Sequence, residues 1–151
     1  MDIEKTYDKI YRFAYFKTHD REIAEDITQE TFLRYIARYG HGGNYNMRLM
    51  YTIARNLCID EFRKDAHIPL PDDELLYESA QADVSERLIF RDALQQLTDE
   101  EKGMLLLRYV NGESIMTISE LYQCSRFSTY RRLKNARKKF CAYMGVKECD
   151  G

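Results

Sequence analysis

The sequence predicts an all-α protein of two small helical domains, a three-helix bundle and a helix-turn-helix bundle, joined by an acidic, proline-containing linker. Three observations carry this. No stretch alternates apolar and polar residues for long enough to make a strand. The chain has only 2 prolines and 7 glycines in 151 residues, so long windows of helical periodicity run unbroken. Both prolines, Pro69 and Pro71, fall in the segment 67–74, where they exclude a helix interior and hold the preceding residues extended. On either side lies a half of roughly 65 residues, close to the smallest size that sustains its own core. The expected organisation is residues 1–65, a linker 66–83, residues 84–144 and a tail 145–151.

In the first half, Ile3, Tyr7, Ile10 and Ala14 make one stripe of a helix over residues 3–17, widened by Tyr11, Phe13 and Phe16. Asp20 is suited to cap a second helix, which runs to Tyr39 and stops at Gly40, Gly42 and Gly43, with Ala24, Ile27 and Tyr35 on one side. A third helix spans 47–64 with Met50, Ile53, Ala54 and Leu57 inward. In the second half a helix covers 84–96. Thr98 and Glu101 make a capping box that starts the next one, ending near Gly112. Ser114 can cap a short helix, 115–122, and Ser125 a long one, 126–143. Two helices joined by Gln123, Cys124 and Ser125, the first short and the second basic, match a helix-turn-helix locked by Ile115, Ile118, Leu121, Cys124, Leu133 and Ala136.

With 44% hydrophobic and 32% charged residues the chain is globular rather than disordered. No apolar run approaches the roughly 18 residues of a membrane span. Residues 1–5 lack the basic-then-apolar order of a secretion signal, so a cytoplasmic protein without membrane insertion is expected. Cys58, Cys124, Cys141 and Cys149 form no C-x-x-C pair, and with His19, His41 and His67 they fit no zinc spacing. Cys58 and Cys124 read as small buried hydrophobes, and neither a metal site nor a disulfide framework is expected. There is no glycine-rich phosphate loop, nucleophile elbow or H-E-x-x-H, and no spacing that converges on an acid–base pair. The expectation is a protein with no catalysis, no cofactor and no small-molecule substrate.

A formal net charge of −2 argues against a tail-driven nucleic-acid binder, but the total conceals segregation. Residues 66–85 carry Asp72, Asp73, Glu74, Glu78 and Asp83 without one Lys or Arg. Residues 126–140 carry seven cations and no acid. A polyanion therefore meets one strongly basic helix.

Three constellations stand out. On the last helix Arg126, Tyr130, Arg131, Lys134 and Lys138 reach one face, suited to groove edges, while Arg132, Arg137 and Lys139 suit phosphates. On the second helix Asp26, Gln29, Glu30 and Leu33 share one stripe; spacing alone leaves this either a contact surface or an ordinary solvated face. On the third, Arg48, Thr52, Arg55, Asn56 and Arg63 share the polar side with Tyr51 and Phe62 beside them, after a loop offering Asn44, Tyr45 and Asn46. Cations mixed with aromatics and amides suit single-stranded nucleic acid.

Together these residues resemble bacterial RNA polymerase sigma factors of the extracytoplasmic-function (ECF) type. Ala24-Glu-Asp-Ile-Thr-Gln-Glu-Thr-Phe32 is similar to the family's A-E-D-x-x-Q-E-x-F signature, and Ile53-Ala-Arg-Asn-Leu-Cys-Ile-Asp-Glu-Phe-Arg63 to its I-A-R-N-x-x-x-D-x-x-R helix. Residues 94–139, with Leu97, Leu107-Arg-Tyr109, Gly112, Ser114, Ile118 and Ala136-Arg137, resemble its promoter-binding domain. The resemblance implies that Asp26, Gln29, Glu30 and Leu33 dock on the clamp coiled coil of the polymerase largest subunit, with further contact at the flap. It implies that Asn44, Tyr45, Asn46, Arg48, Tyr51, Thr52, Arg55, Asn56, Arg63 and Lys64 read and open the −10 element, one base being extruded near Asn44–Asn46. It places Arg126, Tyr130, Arg131, Arg132, Lys134, Asn135, Arg137 and Lys138 at the −35 element and the acidic linker in the channel used by nascent RNA. Control by an anti-sigma factor, which can hold the protein at the membrane, is also implied.

The chain departs from the family pattern at Leu49-Met50, where a Trp-Leu pair is usual, and at Gln123 and Phe127, where glycines are usual. Tyr130 stands where a base-contacting cation is common, so an atypical −35 preference is expected. The rival functions are a stand-alone helix-turn-helix regulator binding duplex DNA without polymerase, and a sigma-like module that only binds partners. The stripe on the second helix separates the first rival from a sigma factor, because such a regulator has no need of it.

Overall fold

The computed structural model describes residues 3–40, 44–64 and 84–145. The expected linker 66–83, His41, His67 and Cys149 lie outside these residues. No strand occurs among the described residues. The chain divides into two compact units. The first holds α1 (Ile3–Thr18), α2 (Arg21–Tyr39) and α3 (Met47–Lys64). The second holds α4 (Val84–Gln95), α5 (Asp99–Leu105), a π-helical turn (Leu106–Val110), α6 (Ile115–Leu121) and α7 (Arg126–Met144), with residues 120–122 grouped with the first.

In the first unit each helix packs on the other two. The Asp20 carboxylate accepts the Ile23 N–H at 3.1 Å, starting α2 where the sequence places it. Gly40, at φ +86°, stops it and returns its N–H to the Ile36 carbonyl at 2.9 Å. Ile10, Phe13, Ala14, Ala24, Ile27, Met50 and Ala54 fill the core. Ile3 does not join them; it is exposed, and the buried stripe of α1 starts at Thr6. Four threonines, Thr6, Thr18, Thr28 and Thr31, are buried as well. Three of these hydroxyls donate to the carbonyl one turn earlier: Thr18 to Ala14 (2.9 Å), Thr28 to Ala24 and Thr31 to Ile27 (2.7 Å each). A hydroxyl satisfied within its own helix leaves its methyl to pack like that of valine, which removes most of the burial cost.

The second unit begins with the capping box. Thr98 Oγ1 accepts the Glu101 N–H at 3.1 Å, and the Glu101 carboxylate accepts the Thr98 N–H at 2.9 Å. The helix does not continue regularly to Gly112 as expected. After Leu105 it widens into the π turn, with Asn111 N–H bonded to the Leu106 carbonyl at 2.9 Å. The wider turn buries Leu106 and Leu107 while turning Tyr109 and Val110 outward. α7 packs along α4 and α5, with Phe90 edge-on to Phe140 at 5.4 Å. Neither Cys58, which is buried, nor Cys124, which is partly exposed, is in a disulfide, whereas Cys141 is disulfide-bonded, although no disulfide framework is expected from the sequence.

Burial alone would raise the Glu101 carboxyl, but the Thr98 N–H, the Lys139 ammonium at 3.0 Å and the Thr98 hydroxyl outweigh it and hold the group below its ordinary 4.5. A carboxyl depressed in the folded state contributes stability that is complete above its unfolded value and lost as pH falls through its folded one. The second unit is therefore expected to weaken as pH drops below about 4.5. Denaturant melts across the acid range should show a shallower loss for Glu101→Gln. An equally steep loss would show that this carboxyl carries none of it.

Candidate functional site

α2 turns Ala24, Ile27, Thr28, Thr31, Phe32 and Tyr35 inward and thereby leaves Asp26, Gln29 and Leu33 exposed on its outer face, with Glu30 half-exposed beside them. Leu33 is 64% exposed, the second highest value among the large apolar side chains described. Glu30 pairs with Arg34 at 2.9 Å. Asp26 and Glu30 also border a groove of about 590 Å³ with Arg34, Asp60, Arg63 and Lys64. The stripe is thus a ridge with one apolar side chain in water and a mixed-charge groove along its flank.

The expected −10 residues fall into three places. Around the loop, Tyr45 is half-buried, its ring 5.3 Å from Phe32 and 5.4 Å from Tyr35. The Asn46 N–H donates to the Tyr35 hydroxyl at 2.9 Å, and the Asn46 side-chain oxygen accepts the Leu49 N–H at 3.2 Å. Asn46 is therefore the cap of α3, and its carbonyl oxygen is already engaged. Asn44 is exposed at the loop end. Arg48, Thr52 and Arg55 are half-buried, and Asn56 is exposed. Tyr51 is fully buried with its ring 5.3 Å from Phe13, and its assignment to nucleic acid is corrected to the core. Arg63 and Lys64 lie at the other end of α3, some 25 Å along the axis from Asn46 at ~1.5 Å per residue. The structure groups them with Asp26 and Glu30 instead.

The helix-turn-helix forms as the capping serines require. Ser114 Oγ accepts the Thr117 N–H at 3.1 Å and Ser125 Oγ the Ser128 N–H at 3.0 Å. Ile115, Ile118, Leu121, Leu133 and Ala136 are all buried. The buried Thr129 hydroxyl lies 2.9 Å from the Ser125 carbonyl and 3.1 Å from Cys124 Sγ, tying the turn to α7. Arg126, Tyr130, Arg131, Lys134, Asn135 and Lys138 are exposed on the outer face. Three of the expected cations instead pair inward. Arg132 bonds Glu100 at 2.6 Å and Lys139 bonds Glu101 at 3.0 Å. Arg137 donates to the Tyr109 hydroxyl at 2.8 Å, its guanidinium 5.8 Å from that ring. The acids of α5 hold two of these cations. Phe127, beside Arg126 and Arg131 on that outer face, is 77% exposed.

Gln123 sits in the turn at φ +54°, a left-handed conformation that costs an L-residue about 1–2 kcal/mol. Gln123→Gly relieves that strain against glycine's larger unfolded-state entropy, for a net gain of about 0.5 kcal/mol or a few degrees in Tm. A calorimetric scan showing a lower Tm would contradict this account of the turn.

No helix among the described residues is long and apolar enough to cross a membrane. The family described as Sigma-70 region 2 matches residues 3–68. The chain is similar to the ECF RNA polymerase sigma factor BldN of Streptomyces coelicolor, 31% identical over 72% of this chain and 46% of that protein. It is also similar to the ECF RNA polymerase sigma factor SigL of Mycobacterium tuberculosis, 30% identical over 73% of this chain and 68% of that one. Among solved structures, the sigma factor RpoE of Bartonella quintana, in complex with the anti-sigma factor NepR, shares the fold. Its TM-score is 0.70 at 19% identity, over 95% of this chain and 94% of that one.

Proposed function

The chain belongs to the ECF RNA polymerase sigma factors, and from that membership we propose that it binds core RNA polymerase and directs promoter recognition, −10 melting and transcription initiation. It acts by recognition and positioning, without catalysis, in the cytoplasm. The ridge of Asp26, Gln29, Glu30 and Leu33 docks on the clamp coiled coil of the polymerase. The polar side of α3, with Asn44 and the aromatic-backed loop, takes the non-template strand at the −10 element. Unstacking a base there costs a few kcal/mol, offset by stacking and edge contacts. The outer face of α7 docks at the −35 element, and the second unit meets the flap. An anti-sigma factor controls the protein by covering these surfaces, and a membrane-linked one would retain it at the membrane.

One observation carries this reading over a stand-alone regulator: Leu33, 64% exposed within a polar stripe, shares the chain with a cationic helix-turn-helix. Most binding energy at protein interfaces comes from a few such anchors. The test is promoter-duplex binding with and without core polymerase. A specific complex only when both are present is expected. Specific, polymerase-independent binding would favour the regulator.

A further inference from the structure

Phe127 is more exposed than any other large apolar side chain described, at 77%. It is the second residue of α7, immediately after Arg126, and it shares the outer face with exposed Tyr130, Arg131 and Lys134. It belongs to no aromatic pair among the described residues, and the helix beneath it is fixed by the Ser125 cap and the buried Thr129 and Leu133. A phenyl ring held in water on a rigid turn, ringed by cations, fits a partner that is anionic around an apolar spot. Duplex DNA offers that combination in the major groove: phosphates on both rims, and on the base edges one apolar group, the C5 methyl of thymine.

We propose that Phe127 is a specificity-determining residue that packs on a thymine methyl in the −35 element, with Tyr130 closing the contact on the side toward Lys134. The inference rests on the promoter-binding function proposed above. Residues in the first turns of a recognition helix are those that reach base edges, and Phe127 lies in the first turn. Arg126 and Arg131 supply sequence-independent attraction, so the ring adds preference rather than bulk affinity. This accounts for an aromatic side chain at a position where the family pattern has none.

The test uses holoenzyme reconstituted from the full chain and core polymerase, on a promoter selected from a library. Each −35 thymine is replaced singly by deoxyuridine, which removes only the methyl. Wild-type transcription is expected to fall about fourfold at one position or two adjacent ones, the value of one apolar carbon returned to water. Phe127→Ser should transcribe the two templates equally at that position while responding normally to changes elsewhere in the element, and Phe127→Leu should keep part of the preference. Circular dichroism of both variants checks that α7 is intact. A wild type indifferent to the methyl at every position would overturn the proposal, and the ring would then face a protein partner. An identical methyl response in Phe127→Ser would overturn it too. Absence of promoter-specific transcripts on any template would overturn both this inference and the function beneath it; transcripts with an unchanged methyl response overturn this inference alone.

Discussion

Ile118→Ala is expected to unfold the helix-turn-helix unit and leave the three-helix unit folded. Ile118 is fully buried in α6, as Ala136 is in α7, with Leu133 nearly so. Removing its side chain costs about 2–5 kcal/mol, the transfer term plus the cavity left behind. A unit of roughly 60 residues has only about 3–9 kcal/mol in total, at the usual stability per residue. The substitution therefore consumes most of what holds α4 to α7 together. Hydrogen exchange should show protection lost across α4, α5, α6 and α7 and retained in α1, α2 and α3. Recognition of the −35 element by the holoenzyme should disappear while affinity for core polymerase falls only by the share that the second unit contributes. Loss of protection in α1–α3 as well would show that the two units fold as one.

The second large effect is expected from Leu33→Asp. Leu33 touches too little of its own fold to matter for stability, so the melt should stay within about 0.5 kcal/mol of wild type. At an interface the same residue is an apolar anchor, and replacing it with a carboxylate places an unpaired charge where water is excluded. A loss of about 2 kcal/mol or more, some 30-fold in Kd, is expected in an equilibrium titration with core polymerase. Asp26→Ala with Gln29→Ala should weaken binding in the same direction by a smaller factor. Non-specific, salt-dependent DNA attraction to the helix-turn-helix should be unchanged in both variants. A Leu33→Asp variant that binds core polymerase like wild type would move the contact off α2.

The helices were legible because their caps and stripes agree. Asp20, Thr98, Ser114 and Ser125 each accept the backbone N–H that their position predicts. Three features were not legible, each for a physical reason. Threonine counts as polar in any periodicity, yet Thr28 and Thr31 bond their own helix and pack inward. Tyr51 sits between the inward Met50 and the polar Thr52, and only the packing of Phe13 decides that it turns in. The third is long-range pairing: Arg132 lies 32 residues from Glu100 and Arg137 lies 28 from Tyr109, so no helical periodicity links them. Charge alone marks α7 as the cationic helix, but how far its cations are shared with α5 emerges only from the fold. The same charge counting passed over Phe127, because an apolar residue among cations adds nothing to a sum.

The opening total of −2 is a cancellation between segments. Within α7 a second cancellation operates, since Glu100 and Glu101 neutralise its inner flank and leave the outer one cationic. Arg126, Arg131, Lys134 and Lys138 are exposed on that outer flank.

The measurement that bears most directly on the central claim is run-off transcription by purified core polymerase on a promoter library, with and without this chain. The account predicts transcripts that appear only when the chain is added, start at discrete positions and share sequence features near −10 and −35. A folded chain that adds no promoter-specific transcript would contradict it.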